Sequence, residues 1–141
     1  MSDDPRASIP SDPGDQEQGP NVSNEDRVPA VEPEDLERFF VERVNEGDVE
    51  GLVALYELDA MLALPTGNVA TGNEAVRRVF NDVVASGVKL TLGDQQPTLR
   101  VGDLALTSTR LDDGAVTAEI ARRQTDGTWR WVIDQWSVLG D

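Results

Sequence analysis

Few side chains in this sequence can move a proton, and the shortage narrows the chemistry. The 141 residues include no histidine and no cysteine. That removes the commonest general base, the thiolate nucleophile and the usual zinc ligands. Carboxylates and one tyrosine remain. Asp134 is the sharpest signal: it stands in TWRWVIDQWSVL among tryptophans and β-branched residues, where a buried polar group needs a partner or a purpose. It either orients or deprotonates a ligand, or pairs with Arg110, Arg122 or Arg123 on neighbouring strands. Glu119, in VTAEIARR, shares a face with Thr117, Ala121 and Arg123. Parity alone does not say whether that face points inward or carries an outer ion pair. Asp59, in LDAML, is a candidate base if desolvated, and otherwise a turn aspartate bonded to nearby backbone N–H groups. Tyr56 would assist these acids. Met61, Phe80, Thr109, Trp131, Gln135 and Trp136 make a candidate ligand-binding wall, although its aromatic members are also what an ordinary core is built from.

Other chemistries lack their residues. No D-x-D-x-D loop appears for an oxygen-ligated cation and no glycine-rich phosphate loop is present, so neither a metal nor another cofactor is expected. With 27 acidic residues against 12 basic ones, a net charge of −15, nucleic acid and anionic membrane are poor partners. The N-terminus is acidic without an apolar signal-peptide core, and the most apolar stretch, Leu52 to Leu64, is interrupted by Glu57 and Asp59. A cytoplasmic protein is the expectation.

The elements that must position these residues begin after a tail. Residues 1–31 hold Pro5, Pro10, Pro13, Pro20 and Pro29 among Asp, Ser, Gln and Asn, with no aromatic residue, and are expected to be disordered. Residues 32–141 form the domain. Pro33, Glu34 and Asp35 signal a helix start, and Leu36, Phe39, Phe40, Val41 and Val44 give its apolar stripe. Gly47 caps it, and Asp48 opens a short second helix carrying Val49, Leu52, Val53 and Tyr56. A strand-like run from Leu58 to Leu64 turns at Pro65–Asn68 and returns over Val69–Ala70. Thr71-Gly72-Asn73-Glu74 reads as a capping box before a third helix. Strands are then expected over Val88–Leu92, Thr98–Val101, Leu104–Leu111, Ala115–Gln124 and the tryptophan run, with a bend at 93–97 and turns at Asp112-Asp113-Gly114 and Asp126-Gly127. The tryptophan strand has apolar residues on both alternating faces, which places it centrally. Helices followed by bunched strands indicate α+β.

In this order and spacing, ERVNEGDVEGLVALYELDAML, TGNEAVRRVF, VGDLALTS and DGTWRWVIDQWSV resemble the nuclear transport factor 2-like superfamily, specifically its SnoaL-like bacterial branch. The resemblance implies three helices packed on a strongly curved, mostly antiparallel sheet that forms a cone, commonly dimeric through the sheet. Relatives use the interior as polyketide cyclases, isomerases or epoxide hydrolases, or assemble through it without catalysis. It implies a hydrophobic small-molecule ligand in a polyketide-type, antibiotic-producing setting, with Asp59 bordering the pocket; Asp134 would orient or deprotonate that ligand in the role of the aspartate base of ketosteroid isomerase, on a similar cone fold. Many relatives carry histidines in the last strand, where this chain has Ile133 and Gln135. Any acid–base work therefore falls to Asp134, Asp59 or Glu119. The rival expectation is a non-catalytic dimerisation module whose cone is filled by Trp131, Phe80 and Met61.

Overall fold

The computed structural model describes residues 27–139. The first helix, α1 (Asp35–Glu46), follows Pro33 as the start signal predicts. Its C-terminus unwinds at Gly47, whose φ of 74° is the left-handed cap. The chain reverses directly into α2 (Val49–Val53), where the Asp48 side chain accepts a hydrogen bond from Gly51 N–H. Strand β1 (Tyr56–Ala63), the short β2 (Val69–Thr71) and helix α3 (Asn73–Ala85) follow. The remaining strands are β3 (Asp94–Gln95), β4 (Leu99–Val101), β5 (Leu104–Thr107), β6 (Thr109–Arg110), β7 (Val116–Arg123) and β8 (Trp129–Leu139).

The sheet runs β2-β1-β8-β7-β5-β4, with β3 joined through β6 to β7. Every pairing is antiparallel except β1 with β8. The tryptophan strand β8 is central, as its two apolar faces require. The sheet is curved and open, and the helices pack over its concave side. Leu36, Leu52, Leu62, Val76 and Phe80 are fully enclosed between the two layers. No helix among the described residues is long and apolar enough to cross a membrane.

Several local expectations are corrected. Tyr56 opens β1 instead of closing the second helix. Thr71 ends β2, and Gly72 at φ 90° precedes α3 with no side-chain cap, so the capping box suggested by the sequence does not form. Residues 88–92 are not a strand, while the presumed bend at 93–97 contains β3. The run 104–111 breaks at Ser108, whose hydroxyl donates to Thr117 O at 2.7 Å.

The expected disorder of the tail falls largely on residues outside those described. Its last part, 27–31, is docked. Arg27 holds Asp48 through both carboxylate oxygens at 2.7 and 2.9 Å, and Ala30 is buried with its carbonyl accepting from Trp129 N–H. Buried Arg43 donates to Val28 O and Gly51 O, both at 2.8 Å. An arginine on the inner side of α1 thus satisfies carbonyls that would otherwise be enclosed without donors.

Candidate functional site

Two irregularities in the ladder decide which side chains face the concave side. Strict alternation along β8 puts Trp131 and Asp134 on opposite faces. The register against β7 slips instead: Ala121 pairs with Trp131 and Ile120 with Ile133, leaving Val132 as an extra residue. Such a bulge resets the parity beyond it. Trp131, Asp134 and Trp136 therefore all point inward, and Ile133 and Gln135 outward, as their burial and exposure show. The second slip lies in β1 between Tyr56 and Met61. It loops Glu57, Leu58 and Asp59 outward and returns Ala60 and Leu62 to the core.

The result is a row of neighbours across four strands. Thr107 pairs with Glu119, Glu119 with Asp134, and Asp134 with Leu62. All four are buried, Glu119 at 3% and Asp134 at 2% exposure. Two carboxyl groups directly opposite each other on adjacent strands repel when both are charged, and among the described residues neither has a basic partner. The Tyr56 hydroxyl donates to Asp134 Oδ2 at 2.5 Å, and Trp136 Nε1 donates to the same oxygen at 3.0 Å. Asp134 Oδ1 is buried without any partner. Glu119 Oε1 accepts from the Thr107 hydroxyl at 2.6 Å, and Thr107 Oγ1 accepts in turn from Trp131 Nε1 at 3.4 Å.

Of these residues Glu119, Trp131, Asp134 and Trp136 line a cavity of about 450 Å³ between α1, the segment 86–91 and the concave sheet. Its apolar wall includes Phe40, Val41, Val83, Leu90, Trp131 and Trp136. Phe40 stands edge-on to both tryptophans, with ring centroids 6.0 and 6.1 Å apart. Glu37 of α1 contributes a third acid to the lining.

Desolvation dominates the titration of this group. It pushes Asp134 up to about 8, helped by the Glu119 charge and opposed by the Tyr56 and Trp136 hydrogen bonds. Glu119 is pushed up to about 6, again by desolvation, with the Thr107 and Thr117 hydroxyls working against it. Glu37 rises to about 8 through desolvation and the charges of Glu119 and Asp134. Burial and the adjacent Asp134 carry the Tyr56 phenol well above its ordinary value. Burial and mutual repulsion raise both groups, so the opposed carboxyls titrate as a pair and favour a form that shares one proton.

The structure brings Asp134, Glu119, Tyr56, Trp131 and Trp136 together. Phe80 and Thr109 are enclosed beside the cavity without lining it: Phe80 packs on Tyr56 at 5.6 Å, and Thr109 N–H donates to the Thr117 hydroxyl. Asp59, Met61 and Gln135 do not belong to the site. All three are exposed on the outer side, and none lines the cavity. The alternative arginine partners of Asp134 are likewise elsewhere. Arg122 reaches Glu57, Arg123 reaches Asp103, and Arg110 is exposed opposite Asp94. Glu37 is the residue that sequence reasoning missed. Its signal was present, for it sits three, four and seven residues before Phe40, Val41 and Val44 on the core-facing stripe.

No protein-family model and no curated protein sequence matches the chain, but solved structures do. One from Thiobacillus denitrificans, assigned as a calcium/calmodulin-dependent protein kinase type II association domain, is 19% identical with a TM-score of 0.65, over 79% of this chain and 97% of that one. A ketosteroid isomerase-like protein from Erwinia carotovora atroseptica is 18% identical at TM-score 0.57, covering 72% and 89%. A protein from Streptomyces avermitilis, assigned as a dehydratase of the nuclear transport factor 2-like family, is 20% identical at TM-score 0.61, covering 74% and 92%. The chain has the nuclear transport factor 2-like fold, also described as cystatin-like.

Proposed function

We propose that the domain binds an apolar small molecule in the concave cavity and moves a proton on it without a metal or redox cofactor. The observation that carries this reading is a cavity of about 450 Å³ lined by Asp134 and Glu119, where Asp134 Oδ1 is buried with no partner among the described residues. A space of that size suits a small-molecule ligand, and an orphaned carboxyl oxygen there is costly unless a ligand completes it. Phe80 and Trp131 pack into the core and Met61 points outward, so the three side chains that could have plugged the cone leave this space open.

The two acids have separate tasks. Glu119, ionised near neutral pH, takes a proton from a carbon beside a carbonyl. Asp134, neutral and braced by Tyr56 and Trp136, donates to the carbonyl oxygen as negative charge develops there. Glu119 then returns the proton to another carbon, which is an isomerisation, or the enolate closes a ring, which is a cyclisation. The ketosteroid isomerase-like and dehydratase assignments of the structural neighbours are compatible with such chemistry. The polyketide-type biosynthetic setting and the cytoplasmic location rest on the SnoaL-like resemblance and the sequence. The apolar wall of the cavity supports a hydrophobic ligand.

Self-association through the sheet belongs to the same proposal. Leu99, Leu106, Ile120, Ile133 and Met61 pair in register across five strands, and all five are exposed on the outer face. A second copy of the chain covering that row gives the homodimer.

Proton abstraction is tested by incubating apolar cyclic ketones with the protein in deuterium oxide and following loss of the α-proton NMR signal. The parent should accelerate exchange, and Glu119→Gln should reduce it by about a hundredfold or more. Ketones that bind without exchanging faster than in buffer would contradict the catalytic role and leave a binding protein.

A further inference from the structure

The charges lining the cavity are of one sign. Glu37, Asp113, Glu119 and Asp134 contribute to its wall, and among the described residues no lysine or arginine does. The basic side chains whose partners are defined are engaged elsewhere. Arg77 is held by Glu50 and Glu74, Arg100 by Glu32 and the Trp129 ring, Arg122 by Glu57, and Arg123 by Asp103. Lys89 donates to Asn45 O. Among the described residues no hydrogen bond or ion pair reaches the Glu37 carboxylate, and Asp134 Oδ1 is enclosed without a donor or acceptor. The acids come from both sides, Glu37 from α1 and the Glu119–Asp134 pair from adjacent strands β7 and β8. Phe40, Trp131 and Trp136 line the same cavity, and aromatic ring faces carry the negative end of a quadrupole.

An acidic cluster on a surface is ordinarily solvated and needs no ligand. Here Glu119 and Asp134 are enclosed and Glu37 is partly so, and a neutral residue at the two buried positions would have cost less. A purely apolar ligand would leave the acids as they are. An anionic one would be repelled. A positive charge brought in by the ligand satisfies the carboxylates and the aromatic wall together.

We propose that the ligand of this cavity is an apolar molecule bearing a cationic nitrogen, held between Glu37 on α1 and the Glu119–Asp134 pair on the sheet, with Trp131 and Trp136 against its hydrophobic body. This rests on the reading that the cavity binds a small molecule, and it names the class. Glu37 is then a ligand-binding residue. Binding has a proton balance: an ammonium ion already charged at pH 7 replaces a proton held among Glu37, Glu119 and Asp134, and that proton leaves to solvent. Of the other groups facing them, Asp113 is a further acid, and the Tyr56 phenol remains protonated because burial raises it.

The test uses three cage compounds of one shape: adamantylamine, adamantanol and adamantane carboxylate. Each is titrated into the full chain at pH 7 by calorimetry in two buffers of different ionisation enthalpy, with tryptophan fluorescence in parallel. The amine should bind at least tenfold more tightly than the alcohol and release close to one proton, and the carboxylate should not bind. Glu37→Gln should weaken the amine severalfold and leave the alcohol unchanged. Glu37 is only partly buried, so this variant should fold, and Asp134→Asn serves as a second. If the alcohol binds as tightly as the amine, or the amine releases no proton, the charge assignment is wrong while the cavity reading stands. If none of the three binds, both are wrong.

Discussion

The two faces of the central strands invert the usual rule for a sheet. Antiparallel sheets commonly turn apolar residues to the core and polar ones to water. Here the enclosed row is Thr107, Glu119, Asp134 and Leu62, while the row one residue away is Leu106, Ile120, Ile133 and Met61 and faces outward. Moving one position along β7 exchanges a buried carboxylate at 3% exposure for an isoleucine at 36%. Both placements cost stability in the isolated chain, because they enclose charge and leave hydrocarbon in water. In the proposed reading a ligand completes the inner face and a second copy of the chain covers the outer one. Folding alone explains neither.

The inner face should produce the largest measurable effects. A carboxyl whose folded pKa lies above its unfolded value holds a proton that the unfolded chain has lost, so its contribution to stability falls as pH rises between the two values. For Asp134 that window runs from near 4 to about 8, and for Glu119 to about 6. Melting temperature should therefore fall as pH is raised from 5 to 8. Asp134→Asn should flatten the curve and raise stability at pH 8 by a few kcal/mol, since each tenfold change in proton affinity between the folded and unfolded chain corresponds to about 1.4 kcal/mol. If this variant melts lower than the parent at pH 8, the Asp134 carboxylate is stabilised by a partner other than Tyr56 and Trp136.

A charge on the outer face should break the assembly and spare the cavity. Ile133→Lys places an ammonium within the five-residue apolar row, between Ile120 and Met61. Sedimentation should show the parent as a dimer at micromolar concentration and the variant as a monomer, its dissociation constant raised at least a hundredfold, with probe binding unchanged. A parent that sediments as a monomer would contradict the homodimer.

Away from both faces the effects become smaller. Deleting residues 1–30 removes the Arg27–Asp48 pair, the Val28 carbonyl held by Arg43 and the enclosed Ala30. The loss should be about 1–3 kcal/mol, several degrees in a thermal melt. An unchanged melting temperature would show that this segment contributes nothing. Asp59→Asn should have the smallest effect, within about 0.5 kcal/mol and without influence on ligand binding, because Asp59 is an exposed residue in the outward loop of β1.

The sequence made the fold legible because its signals are local: Gly47 at a left-handed cap, Asp48 on Gly51, turns at Gly114 and Gly127, and aromatic residues in the last strand. It also marked Asp134, Glu119 and Tyr56 through polar residues set in apolar runs. The shared face was not legible. Asp134 joins Trp131 only because the pairing with β7 slips at Val132, and Asp59 leaves the core only because β1 bulges against β8. Those offsets belong to the pairing of distant segments and have no local residue signature. Glu37 was readable from its helical spacing, although an acid in the first turn of α1 is equally accounted for by the positive end of the helix dipole.

Titration of the Asp134 carboxyl, followed by NMR of its side-chain carbon in the parent and in Glu119→Gln, tests the central claim most directly. The claim is that folding encloses an uncompensated acid pair facing an open cavity. The parent should show Asp134 protonated through neutral pH with a midpoint near 8. Removing the opposing Glu119 charge should lower that midpoint. An Asp134 midpoint near 4, the value of a solvated carboxylate, would contradict the account.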